Sequence, residues 1–238
     1  VNEPHSHFDT LKLAEAAREA GRTFGFSVDV LGKDKIEHLG MGGLLAVNQA
    51  SSVPPQFCIL EWKPAGARNA KPVVLIGKGV VYDTGGLSLK TPEGMENMKC
   101  DMAGAAAVIG AISAAARTDL PVHIVGLIPA TDNKVGDNAL KPGDVIRMYS
   151  GTTVEVTNTD AEGRIILADA LHYAKQYDPE LVLDIATLTG AAVRALGSQA
   201  ICYMGTAGTP VKRALEDSGF RTYERLVELP LWKEYGEE

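Results

Sequence analysis

Cysteine is scarce: Cys58, Cys100 and Cys202 are spread over 238 residues with neither a CxxC pair nor metal-finger spacing. That argues against a thiolate metal centre and fits a reducing compartment, where each thiol packs as a small buried hydrophobe. Positive charge is short as well. With 23 Lys and Arg against 30 Asp and Glu, the formal net charge is -7. No basic footprint results, so neither nucleic acid nor an anionic membrane is expected as the main partner. The longest apolar runs are broken by Gly, Pro or charge before they reach membrane-spanning length. The phosphate loops of nucleotide-binding proteins are missing: Gly77-Lys78-Gly79 lacks the GxxxxGK[ST] frame, and no GxGxxG turn occurs. Internal repeats, low-complexity segments and a flexible interdomain linker are not apparent, which reads as one domain.

What is present is an ordinary globular composition, 45% hydrophobic and 22% charged, on a chain long enough to bury a full core. The first residue is Val1 rather than Met, so a missing leader cannot exclude export. Helical spacing of Leu11, Leu13, Ala14, Ala17 and Ala20 follows a capping Asp9-Thr10 and ends at Gly21. Further helices are expected over 44–51, 102–116, 163–177, from the 187–190 turn to Gly197, and over 210–218; the stretch 36–39 is too short to assign. Strand-like runs fall at 24–31, 56–62, 73–76, 121–130, 153–157, 181–186 and 201–204. A turn-rich loop spans 64–71, the polar stretch 131–146 closes on a Lys-Pro-Gly-Asp turn, and 226–229 leads into Pro230. Strand and helix alternate, so the expected fold is α/β, a three-layer α/β/α sandwich around a mixed, largely parallel sheet.

Within residues 73–108 an apolar strand delivers Lys78 and Asp83 into glycine-rich backbone, and Lys90 and Asp101 follow; a shorter echo at 156–168 adds Asp160, Glu162 and Arg164. Ends of buried strands in an open α/β sheet converge on one crevice. Asp83, Asp101, Asp160 and Glu162 are hard oxygen donors, and four carboxylates gathered beside apolar strands need bound cations. One residue separates Asp160 from Glu162, so in an extended segment both would face the same way. Each tetrapeptide alone is a turn former; the combination carries the signal. Lys78 could meet phosphate as a cation, or give a neutral amine nitrogen to a metal. Lys90 could bind a developing oxyanion or lie on the surface. Arg164 offers a fork for carboxylate, phosphate or bicarbonate, or could simply pair with Asp160 or Glu162. His5, His7 and His38 have polar neighbours and wide spacing, and read as exposed side chains.

Three motifs, GKGVVYDTGGLSLK at 77–90, MKCDMAGAAAV at 98–108 and NTDAEGRIILADAL at 158–171, together with VNEP at 1–4 and LPLW at 229–232, give the chain a resemblance to the leucyl aminopeptidase family, the cytosol aminopeptidases that use two metal ions. The resemblance implies that Lys78, Asp83, Asp101 and Glu162 bind one divalent ion and that Asp83, Asp160 and Glu162 bind the other, with a backbone oxygen of Asp160 helping. It implies zinc, manganese or cobalt as the ions, catalytic roles for Lys90 and Arg164, and a bicarbonate on Arg164 as general base. Met98, Thr187 and Gly190 would line the pocket for the substrate's first side chain, with the Leu188 carbonyl at its amino group. Peptides with a free N-terminus, leucine or another apolar residue leading, would be the substrates of a cytoplasmic hexamer. The family's separate N-terminal domain and the continuation of its catalytic domain lie outside residues 1–238. From chemistry alone, a metal-dependent phosphohydrolase or a non-catalytic assembly module are the competing readings.

Overall fold

The computed structural model describes residues 1–236. They group into two compact units, Val1–Thr187 and the residues from Leu188 onward.

In the first unit, α1 (Thr10–Phe24) is capped by the Asp9 side chain, which accepts from the Lys12 amide. The helix runs through Gly21, where the sequence suggested its end, and stops at Gly25, which takes the left-handed conformation with φ of 82°. β1 (Ser27–Leu31), the short α2 (Lys33–Leu39) and α3 (Gly42–Asn48) lead to β2 (Gln56–Trp62). β3 (Val73–Gly77) and β4 (Gly79–Asp83) are one extended path around Lys78. Then come α4 (Pro92–Met95), a 3-10 turn at Met98–Cys100, α5 (Ala103–Arg117) and β5 (Ile124–Asn133). The hairpin β6 (Asp144–Arg147) and β7 (Thr153–Val156) precedes α6 (Glu162–Ala174) and β8 (Leu181–Ile185).

The sheet has six strands in the order β1-β2-β5-β3-β8, with β4 beside β5. β1 and β2 pair antiparallel, as do β2 and β5, whereas β3, β4, β5 and β8 run parallel. The mixed sheet with a parallel majority matches the expected architecture. Alternation sends Phe57, Val74, Ile76, Val125 and Leu127 to one face, where Leu44 and Val47 of α3 and Ile166 and Ala170 of α6 cover them. On the other face Leu13 and Ala14 of α1 and Val108 and Ile112 of α5 cover Cys58, Leu60, Ile124 and Ile128. Each large side chain sealed this way contributes roughly 1.5–3 kcal/mol relative to exposure. α5 can be nearly all Ala, Gly, Ile and Val because it lies close on β3. By length and hydropathy Pro92–Arg117 reaches the size of a membrane span. In the fold this run is broken into α4, the 3-10 turn and α5, and Gly104, Ala105, Val108 and Ile112 of α5 are buried.

Asp169 is an addition that the helical pattern concealed. Buried in α6, it accepts from the Leu44 amide at 3.0 Å and the Tyr149 amide at 2.8 Å, so one carboxylate ties α3 and the β6-β7 hairpin to α6. Burial raises its pKa, against the pull of those backbone donors. Of the cysteines, Cys58 is buried, and burial pushes its thiol up to about 12; Cys100 and Cys202 are half-buried, less sealed than expected. His5 is not a free surface side chain either. Its ring lies 5.5 Å from that of Tyr82 and its Nε2 3.8 Å from Asp132, because the N-terminal segment lies along the ends of β4 and β5.

The second unit holds α7 (Gly190–Leu196), β9 (Ile201–Tyr203), α8 (Thr209–Thr222) and β10 (Leu226–Glu228), with β9 and β10 pairing in parallel. Gly197 ends α7 as the sequence indicated, and α8 is a turn longer than expected, reaching the left-handed Tyr223.

Candidate active site

The site is built at the carboxyl end of the parallel strands. Lys78 stands between β3 and β4, where its amide donates to the Ile185 carbonyl of β8 and its carbonyl accepts from Ala105 at the start of α5, both at 3.0 Å. With its backbone fixed by two elements, the side chain runs inward and is 3% exposed. Gly163 makes this possible: a Cβ there would fall 2.8 Å from both Cε and Nζ of Lys78. The ammonium reaches Asp101 Oδ2 and Glu162 Oε1, each at 2.8 Å, and donates to the Thr187 carbonyl at 3.0 Å. Asp101 follows the 3-10 turn begun by Met98, and its Oδ1 accepts from the Thr187 hydroxyl at 2.8 Å.

A second lysine serves the other side. The chain leaves Asp83 through Gly85 and Gly86, with φ of 85° and 64°, and returns so that the Lys90 amide donates to the Thr84 carbonyl. Lys90 Nζ then lies 2.9 Å from Asp83 Oδ2 and 2.5 Å from Asp160 Oδ1. Thr159 joins the two motif segments: its hydroxyl donates to the Gly85 carbonyl at 2.7 Å and accepts from the Ser88 amide at 2.8 Å, while its own amide donates to Ser88 Oγ at 3.1 Å.

Asp160 and Glu162 do not share an extended segment. Asp160 sits in a 3-10 turn whose amide is capped by the Asn158 side chain, and Glu162 opens α6. The tight turn brings both carboxylates to the cluster, where the helix N-terminus favours the negative charge of Glu162. Ligand atoms of Asp83, Asp160 and Glu162 lie within 4.8 Å of one another. Asp101 meets them through the shared contact of Lys78.

Charge explains the titration of the group. For Asp101 and Glu162 burial outweighs the attraction of Lys78, raising their pKa values to about 6 and about 7. Burial also works against the Lys78 ammonium, but Glu162 and Asp101 overcome it and raise Lys78 above the usual lysine range. Lys90 is raised likewise, burial being outweighed by hydrogen bonds with Asp160 and Asp83. Four carboxylates face two ammonium groups. Asp101 Oδ2 and Asp160 Oδ1 are buried without a well-aligned hydrogen bond. Both the net negative charge and the oxygen-rich donor set fit hard or borderline divalent cations.

The other expected residues are placed differently. Arg164 is exposed on α6 and, among the described residues, forms no ion pair with Asp160 or Glu162. Met98 is half-buried on the turn that presents Asp101, while Thr187 engages Asp101 and Lys78 directly. Leu188 and Gly190 belong to the second unit, both exposed, with Gly190 opening α7. Missed altogether was Asn133, 5% exposed, whose Nδ2 donates to Asp83 Oδ1 at 2.9 Å and to the Thr159 carbonyl at 3.0 Å. Its place in the polar stretch 131–146, three residues past the inner strand 121–130, was the signal available.

The profile described as "Cytosol aminopeptidase family, catalytic domain" matches residues 1–238. The protein named "Probable cytosol aminopeptidase" of Chlorobaculum tepidum is 53% identical over 238 residues, covering 100% of this chain and 47% of the relative. The leucine aminopeptidase structure of Caenorhabditis elegans superposes with a TM-score of 0.91 at 35% identity, covering 97% of this chain and 47% of that one. The bottromycin maturation enzyme BotP in complex with Mn gives a TM-score of 0.92 at 38% identity, with 98% and 51% covered. The chain thus spans about half the length of the relatives it matches. A profile match over all 238 residues, carried by a fold that brings the motif carboxylates and lysines together, places this chain in the cytosol aminopeptidase family.

Proposed function

We propose that the chain carries the metal-binding part of an aminopeptidase that hydrolyses the N-terminal residue from peptides, leucine or another apolar residue preferred. The observation that carries this reading is the convergence of Asp83, Asp160 and Glu162 within 4.8 Å, flanked by the Lys78 and Lys90 ammonium groups. Residues 1–238 are read as part of a single catalytic domain. Lys78, once an ion displaces its proton and leaves a neutral amine, would hold one divalent ion with Asp83, Asp101 and Glu162, and Asp83, Asp160 and Glu162 would hold the second. When bound, such a pair supplies Lewis acidity and a water acidic enough to act at neutral pH.

The protein's own groups do the rest. Lys90 is held protonated by Asp83 and Asp160, and it presents a fixed cation to negative charge developing on the scissile carbonyl oxygen. Arg164, exposed in the first turn of α6, would hold a bicarbonate, which when bound would supply a general base. The reading requires a free amino group at the substrate's first residue to reach the acidic cluster, so a blocked N-terminus is a poor substrate. Met98 and Thr187 would bound the substrate's first side chain. Zinc, manganese or cobalt suit the donor set, and manganese is the ion named with BotP. The relatives' name supports a cytosolic setting, and a hexamer is the assembly proposed for the whole protein.

The test is release of free leucine from a leucyl peptide by metal-depleted protein with zinc, manganese or cobalt restored in turn, bicarbonate present. Ion-dependent release that Lys90→Ala abolishes is expected. Ion uptake without release by the full protein would overturn the peptidase reading.

A further inference from the structure

Asn133 ends β5 opposite Asp83, beyond the register shift that separates Val80 from Asp83 on β4. Its backbone carbonyl accepts from the Thr84 amide at 3.0 Å and the Thr84 hydroxyl at 2.9 Å. On the side-chain oxygen flank, a Cβ on Gly86 would come within 2.9 Å of Oδ1, so that glycine leaves the amide its place. The nitrogen looks the other way, at three oxygens: Asp83 Oδ1 at 2.9 Å, the Thr159 carbonyl at 3.0 Å and Glu162 Oε2 at 3.5 Å. A backbone carbonyl and ionised carboxylates accept and never donate, so chemistry alone fixes which end of the amide faces them. An NH2 has two protons. They satisfy Asp83 and Thr159, and the long contact leaves Glu162 the loosest of the three.

We propose that Asn133 is a positioning residue of the metal site, a buried neutral donor that sets the carboxylate of Asp83 and the turn carrying Asp160 for ion binding. This rests on reading the acidic cluster as a divalent-ion site. The choice of an amide has a physical reason. A lysine or arginine here would orient the same oxygens but would also cancel site charge and compete with the ion. Asn133 orients without neutralising, so the excess of carboxylates over ammonium groups is kept for the cation. One amide also binds the strand-end motif at Asp83 to the Thr159 carbonyl just before Asp160, and so fixes the separation of two ligands that lie far apart in sequence. Outer partners of this kind typically govern metal affinity by about 10–100-fold.

The experiment titrates cobalt into metal-depleted full-length protein and follows its d–d absorption, comparing the unmutated chain with Asn133→Leu, Asn133→Ala and Asn133→Ser. Leucine nearly fills the amide's volume but has no donor; serine keeps one short donor. The proposal expects cobalt Kd to rise about 10–100-fold in both Leu and Ala variants, with the absorption band displaced and a smaller rise for Ser. Wild-type Kd and band in Leu or Ala would overturn it, since packing alone would then explain the residue. Should Leu and Ala fail to fold, Ser decides: a weakened Kd supports the proposal and an unchanged one overturns it. If the unmutated chain takes up no cobalt, the metal-site reading itself fails and the role of Asn133 falls with it.

Discussion

The two halves of the acidic cluster are built from the same pair of charges in different surroundings. Around Lys78 everything is sealed: the lysine is 3% exposed, Asp101 4% and Glu162 2%. Around Lys90 the cluster opens on its Asp160 side, with the lysine 17% exposed and Asp160 34%, while Asp83 stays sealed at 3%. A buried carboxylate stripped of its cation has no water to turn to, whereas an open one does. The sealed half therefore depends on Lys78 for the fold to tolerate its carboxylates, and the open half leaves Lys90 available to a ligand.

That contrast can be broken most forcefully with Lys78→Met. In chelated protein it strands Asp101 and Glu162, and denaturant unfolding should show a loss of roughly 3–5 kcal/mol. Lys90→Ala should cost less in the same measurement, because Asp160 reaches water and Asp83 keeps the Gly85 and Asn133 donors, while peptide turnover falls by about 10²–10³-fold. Equal stability losses for the two variants would erase the distinction between sealed and open halves.

A smaller effect comes from the ions. Manganese at about one hundred times its Kd should raise the unfolding free energy of the unmutated chain by ~2.7 kcal/mol, and EDTA should remove the gain. Scanning calorimetry with and without manganese measures this directly.

The smallest expected effect is a drift with pH on the order of 1 kcal/mol in chelated protein. Glu162 has its folded pKa raised to about 7, above the ordinary glutamate value. Its contribution to stability is present below that ordinary value and is lost as pH rises through about 7. Glu162→Gln has no such proton to lose. The stability difference between Gln and Glu should consequently grow in favour of Gln from pH 5 to pH 8. A constant difference would mean that Glu162 is less sealed than Lys78, Asp101 and α6 make it.

Much of this site could be read before any fold was known, because its residues sit where apolar periodicity breaks. Lys78, Asp83 and Lys90 follow the 73–76 strand, and Asp160 and Glu162 lie between a strand and a helix. Their local geometry was harder. The one-residue spacing of Asp160 and Glu162 suggested an extended segment, but the Asn158 cap turned it into a 3-10 turn, and side-chain capping leaves only a weak mark on composition. Thr187 has a further role that its sequence context did not announce, its hydroxyl and carbonyl serving Asp101 and Lys78. Asn133 escaped notice because asparagine after a strand is the ordinary start of a turn. Gly21 misled in the other direction, since a glycine inside a helix looks like a stop until the αL residue beyond it is seen at Gly25.

By itself the sequence determined the α/β alternation, the inner strands and the identity of the charged residues released at their ends, because periodicity and turn chemistry are local properties of the chain. Only tertiary structure decided which charges share a site. Lys78 meets Glu162 through parallel strands and a covering helix, and Asn133 meets Asp83 across a strand register. Such pairings depend on how β3, β5 and β8 align, and alignment is set by long-range packing of the two sheet faces, which no single stretch of sequence encodes.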